Sequence, residues 1–152
     1  MSTFVKASYA PLFDRLCPQD PGLGQARLLE TPGLLMSVQR DLQRLLATRN
    51  GLTIAQYLAD AATVLDYGVP DLLTLCVHSE TDLQQAADVV AHAIGLFEPR
   101  LTGVTVRAQR DPRDPGLARI TVSASEVIGR ALRRVNFEIA LGDQGGLVTL
   151  SP

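Results

Sequence analysis

Apolar positions along this chain follow a helical period in its first two thirds and a period of two in its last third. From 34 to 47, Leu35, Val38, Leu42, Leu45 and Leu46 recur three and four apart, with Gln39, Arg40, Gln43 and Arg44 between them. That spacing predicts an amphipathic helix with the leucines and valine inward. A second helix is expected from about Thr53 to Leu65, and Gly68 is placed to end it. Val69-Pro70-Asp71 reads as a turn, with Asp71 able to cap a short following segment. The strongest helical pattern comes next. Leu83, Ala87, Val90, Ile94 and Phe97 form one stripe, Thr81 can cap the helix, and Gln84 completes a capping box. Pro99 stops it, because proline lacks an N–H and biases the residue before it away from helical angles.

Beyond Pro99 the period changes. Val104, Val106 and Ala108 alternate, as do the residues of 118–125, and Asp111-Pro112-Arg113-Asp114-Pro115-Gly116 between them predicts a hairpin loop. Val135, Phe137, Ile139 and Leu141 alternate most cleanly. A turn at Asp143-Gln144-Gly145-Gly146 leads to a short last strand, Leu147–Leu150, expected at an edge. Helices precede strands, so the fold class is α+β: N-terminal helices followed by a small, mainly antiparallel β-sheet in a single domain.

The N-terminal part differs. Leu12, Phe13 and Leu16 lie on one side of a short amphipathic segment, and Pro18, Pro21, Gly22, Gly24, Pro32 and Gly33 follow it. This divides the chain into an N-terminal segment with a Pro/Gly-rich linker, 1–33, and an α+β domain, 34–152. The amphipathic segment is either a tethered docking element or a peptide packed back on its own core.

The 152 residues are long enough for a real core, and a hydrophobic content of 46% excludes general disorder. A net charge of −2 argues against a nucleic-acid footprint. The basic residues are thirteen Arg and one Lys, Lys6. Arginine suits protein interfaces through its planar fork. Cys17 and Cys76 form neither a metal-spaced motif nor a disulfide framework, which fits a reducing compartment. The N-terminus has no apolar signal-peptide region, and no run approaches the roughly 18 apolar residues of a membrane span. The expectation is a cytoplasmic protein without membrane insertion.

Chemistry-bearing patterns are sparse. His78 and His92 belong to no zinc-type spacing. Ser123 and Ser125 stand in no nucleophile elbow, and Gly22-x-Gly24 in no strand-to-helix phosphate loop. No catalytic, metal or cofactor site is expected. What remains is Phe97-Glu98-Pro99-Arg100-Leu101, where two opposite charges flank a proline at the junction of helix and strand. Taken alone, Glu98 and Arg100 are surface charges or a local ion pair, of small energetic value. Held at a rigid corner, they have few rotamers to lose on meeting a partner.

Four blocks of sequence bear on that choice. They are Leu12-Phe13-Asp14-Arg15-Leu16; the run from Ser37-Val38-Gln39-Arg40-Asp41 to Thr48-Arg49; Val64-Leu65-Asp66-Tyr67-Gly68-Val69-Pro70-Asp71-Leu72; and Phe97-Glu98-Pro99-Arg100-Leu101 with Val104 and Val106 behind it. In this order and spacing, over roughly 9–141, the chain resembles the baseplate wedge and sheath-initiator family of contractile injection machines. The N-terminal block is most similar to the family's type VI secretion branch, the TssE subunits. The resemblance implies a non-enzymatic assembly role and two sets of partners. These are the larger baseplate wedge proteins TssF and TssG, and the contractile sheath proteins TssB and TssC. It implies partner contacts at Glu98, Pro99, Arg100 and Leu101, and docking by Leu12, Phe13 and Leu16. A prophage or extracellular contractile tail is an alternative setting. So is a peptidoglycan hydrolase, since some family members are described as lysozyme-like. Glycoside hydrolysis needs two carboxylates about 5–9.5 Å apart. Nothing in the sequence brings Asp71, Glu126 or Glu138 opposite Glu98, and a neighbouring guanidinium favours the ionised carboxylate, the wrong form for a general acid.

Overall fold

The computed structural model describes residues 7–9, 28–61, 63–128, 131–142 and 147–151. Two short strands, β1 (Ala7–Tyr9) and β2 (Leu28–Glu30), pair antiparallel with Ser8 opposite Leu29. β2 runs directly into helix α1 (Thr31–Ala47). Val38, Leu42, Leu45 and Leu46 of α1 are buried, as the spacing predicts.

The expected helix over Thr53–Leu65 is not continuous. Thr53 caps a single α-turn, α2 (Ile54–Gln56), through a capping box with Gln56. The turn widens into a π-helical stretch, Tyr57–Ala61, and a separate 3₁₀ turn follows at Val64–Asp66. That 3₁₀ turn has its own capping box, in which the Asp66 carboxylate accepts from the Thr63 N–H at 2.8 Å and from its hydroxyl at 2.9 Å. Two capping threonines ten residues apart leave no room for one long helix.

Gly68 stands just past the 3₁₀ turn with φ +115°. A Cβ there would lie 2.5 Å from the Thr48 carbonyl oxygen, so glycine is required by both angle and space. The close approach allows a bridge between Arg49 and Val69, in which Val69 N–H donates to Thr48 O and Asn50 N–H to Val69 O, each at 3.0 Å. The Asn50 side-chain amide donates to Asp66 O, and the buried Tyr57 hydroxyl donates to Gly68 O at 2.8 Å. The turn is thereby joined to the C-terminal end of α1.

Helix α3 (Glu80–Phe97) begins one residue pair earlier than expected. Ser79, not Thr81, is its cap, accepting from Asp82 N–H, while Gln84 donates to Asp88 rather than closing a box. Its buried face, Leu83, Ala86, Ala87, Val89, Val90, Ala93 and Ile94, is wider than the single stripe. The alanines and valines let the helix lie close to the sheet.

The sheet is an antiparallel meander of four strands in the order β3 (Leu101–Arg110), β4 (Leu117–Ile128), β5 (Ala131–Gly142) and β6 (Leu147–Ser151). The expected hairpin loop spans 111–116, where Asp111 and Asp114 accept from the N–H groups of Arg113 and Gly116. One sheet face is apolar: Ala118, Ile120, Val122 and Ala124 lie opposite Leu141, Ile139, Phe137 and Val135, all buried. The helices cover that face, with α3 over β3 and α1 toward β6. The other face carries Thr105, Arg107, Gln109, Arg134, Asn136 and Glu138 to solvent. Among the described residues the last strand lies at an edge, as expected. Among the described residues, no helix is long and apolar enough to cross a membrane.

A β-bulge interrupts β3 near its start. Thr102 pairs with Ser125 and Thr105 with Ser123, so Gly103 and Val104 together face Ala124. Gly103 adopts φ +60°, as such a bulge requires. The extra residue shifts parity. Leu101, opposite Glu126, now faces the core like Val106 and Ala108, although five residues separate it from Val106. An uninterrupted strand would turn Leu101 to solvent; here it is buried.

Candidate functional site

The corner begins where α3 ends. Glu98 N–H still donates to Ile94 O at 2.9 Å, but its φ and ψ have left the helical region. Leu101 N–H donates to Glu98 O at 3.1 Å, closing a turn with Pro99 at its second position, where a fixed φ suits it. The turn delivers the chain into β3.

The side chains of this turn divide sharply. Glu98 and Leu101 are buried, at 3% and 5% exposure, and Pro99 is exposed. Arg100 folds back over Glu98: its Nε donates to Oε1 and its Nη2 to Oε2, both at 2.5 Å. The guanidinium also reaches α1, where Nη2 donates to Asp41 Oδ2 at 2.6 Å and Nη1 to the hydroxyl of the fully buried Ser37 at 3.1 Å. Burial alone would disfavour the charged guanidinium. Glu98 and then Asp41 outweigh that effect and hold its pKa above the ordinary arginine range. The pair is therefore a partly buried, bidentate ion pair with two further acceptors on another helix, which is more than a solvated surface pair.

The third side is aromatic. Tyr67 packs edge-on against Phe97 with ring centroids 5.2 Å apart. Burial raises the Tyr67 pKa, Asp41 and Glu98 add to the effect, and Arg44 opposes it. Tyr67 therefore lies beside the same charged cluster. Three of the four sequence blocks, those containing Ser37 and Asp41, Tyr67, and Glu98 and Arg100, converge here from positions up to 63 residues apart in the chain. The fourth block, with Leu12, Phe13 and Leu16, lies outside the described residues, as does Cys17.

Pattern reading of the sequence did not single out Ser37 or Asp41. Their signal was local: two polar residues one helical turn apart, beside the apolar stripe of α1. Among the described residues no group of three or more His, Cys, Asp or Glu is arranged to hold a metal ion. Cys76 is exposed and free, and His92 packs its ring edge-on against Tyr57 at 5.1 Å. Both Glu98 carboxylate oxygens accept from Arg100, so the carboxylate is engaged on both sides by its ion-pair partner.

The chain matches the family described as baseplate wedge protein gp25 over residues 33–127, well over half its length. No curated protein matches it. Among solved structures it is similar to a chain of the baseplate complex from the type VI secretion system, with 21% identity and a TM-score of 0.50, covering 70% of this chain and 93% of that one. It is also similar to a protein of Geobacter sulfurreducens described as a tail lysozyme, with 18% identity and a TM-score of 0.51, covering 77% of this chain and 96% of that one. At these identities the two structures speak for the fold, and the family match spans the corner together with α1, the 3₁₀ turn and most of β4. The chain belongs to the gp25 baseplate wedge family.

Proposed function

We propose that this protein is a non-enzymatic baseplate component of a type VI secretion system, in the position of TssE, that joins the wedge and starts polymerisation of the contractile sheath. The observation that carries this reading is the form of the sheet. The meander ends on β6, which among the described residues pairs on one side only. An edge strand offers unpaired N–H and C=O groups, and an extended arm from a sheath subunit can complete the ladder. The first sheath ring would then form on a template of the shape that the sheath repeats. TssB and TssC are the sheath proteins this role requires, and TssF and TssG the wedge proteins.

Wedge attachment falls to the corner and the N-terminal segment. Pro99 and the outer rim of Arg100 are the accessible parts of the corner, and Glu98 and Leu101 hold them from beneath. Leu12, Phe13 and Leu16 supply an apolar peptide for docking. The similarity to a tail lysozyme favours no hydrolase reading, because the corner carboxylate is bound on both oxygens. A role in the cytoplasm follows from the same assignment.

Deleting the gene should abolish sheath foci in cells expressing fluorescent sheath, and complementation should restore them. Replacing Leu12, Phe13 and Leu16 by serine should reduce co-purification with the larger wedge proteins at an unchanged melting temperature. Normal sheath growth in the deletion strain would refute the assignment. A large fall in stability of the serine variant would mean that the segment packs on its own core.

A further inference from the structure

Ser37 and Asp41 have no assigned part in docking, yet they sit where docking would be controlled. Arg100 makes four side-chain hydrogen bonds, two to Glu98, one to Asp41 and one to Ser37. A guanidinium has five N–H donors, so four are committed inside the fold. The two α1 residues are four apart and face the corner from one side of the helix. Only 27% of the Arg100 side chain and 23% of the Asp41 side chain remain exposed. An arginine bound in this way cannot reach out to a partner without releasing α1.

We propose that Ser37 and Asp41 are positioning residues for partner docking. They fix the Arg100 guanidinium and through it lock α1 to the 98–101 turn, so that Pro99 and the outer side of α1 meet the wedge as one rigid surface. The proposal rests on the wedge role given above. Arg100 serves as a clamp in this arrangement, and its planar fork explains why arginine is used. It bonds two carboxylates and a hydroxyl at once, whereas a lysine ammonium on its flexible stem has no such fixed fork.

The test uses the full chain with the larger wedge proteins, well below the melting temperature of every variant. Asp41→Asn should weaken wedge affinity about tenfold and Ser37→Ala about threefold, the scale of one charge-assisted and one neutral hydrogen bond. Asp41→Glu should recover part of the loss, Arg100→Lys should not rescue docking relative to Arg100→Ala, and Asn136→Ala on the solvent face of the sheet is the control. Nuclear magnetic resonance gives a second readout. The Arg100 Nε–H, bonded to Glu98, should exchange slowly in the wild type and faster in Asp41→Asn, with the fold intact. Wild-type affinity in both Asp41→Asn and Ser37→Ala would overturn the proposal. So would a docking loss with Arg100 Nε–H exchange unchanged. Failure of the wild type itself to bind the wedge proteins would instead refute the wedge role, and the clamp's purpose with it.

Discussion

Gly68 shows how one residue can be constrained from two directions. Its φ of +115° disfavours any side chain, and the Thr48 carbonyl occupies the place a Cβ would need. Gly103 has the first constraint without the second, since nothing lies within 4 Å of a Cβ added there. Gly68→Ala is therefore expected to cost at least about 2 kcal/mol and Gly103→Ala about 1 kcal/mol. Thermal melts should rank them in that order, and equal shifts would remove the close approach as the cause. Tyr57 predicts a pH dependence. Burial pushes its pKa up from 10.0 to about 12, so between those values the unfolded chain has lost a proton that the folded chain keeps. Stability from this group is present below pH 10 and lost as pH rises toward 12, by about 3 kcal/mol in all. Tyr57→Phe should flatten that fall in denaturant titrations while lowering stability at neutral pH, because Gly68 O loses its donor. Of these residue-level facts the sequence disclosed little. Gly68 was legible as a helix stop, but the Thr48 oxygen that demands it lies twenty residues earlier. Ser79 and Thr81 are both good caps; the start at Glu80 brings Glu80 and Asp82 into the first turn, where the helix dipole favours acids.

At the scale of elements, periodicity was the dependable signal. Helices α1 and α3 and strands β3 to β5 follow from spacings of three to four or of two, because each buries one face against the same core. Where burial is incomplete the signal failed. The stretch 54–66 has helical composition, but its turns answer to Thr53 and Thr63 caps and to the Asn50 and Tyr57 bonds, which no period encodes. The bulge in β3 was equally hidden, since Val104, Val106 and Ala108 alternate on both sides of the question. The edge strand yields a prediction. Successive N–H groups of β6 point to opposite sides, so proline at Val148 or Thr149 removes an outward donor at one of the two positions. That variant should melt nearly as the wild type does and still co-purify with wedge proteins, but fail to seed sheath in cells. Sheath growth in both variants would exclude pairing at β6 and turn attention to β3.

For the whole molecule, the described residues place two helices on one face of a meander, polar side chains on the other, and β3 and β6 at its two edges. The corner stands at one end of β3, and β6 lies at the opposite edge of the described sheet. Purified protein should accordingly leave peptidoglycan suspensions as turbid as a buffer control; clearing that Glu98→Gln abolishes would reverse the assignment. The class and the order of the two long helices and the meander strands were readable in the chain, and so was the corner as a place of interest; β1 and β2, in the stretch read as an N-terminal segment and linker, were not. The joining of α1 to that corner was not, because it depends on contacts 59 and 63 residues apart. The bulge at Gly103 and Val104 has a last consequence, for how this segment can vary. It sets the phase between the corner and the rest of β3. Removing Gly103 alone would put Leu101 and everything before it out of step with the sheet, exchanging an inward leucine for an outward one. Exposed side chains such as those of Thr102 and Thr105 can change with modest effect, whereas a single-residue insertion or deletion cannot be absorbed. Related chains should therefore differ here in letters and not in length.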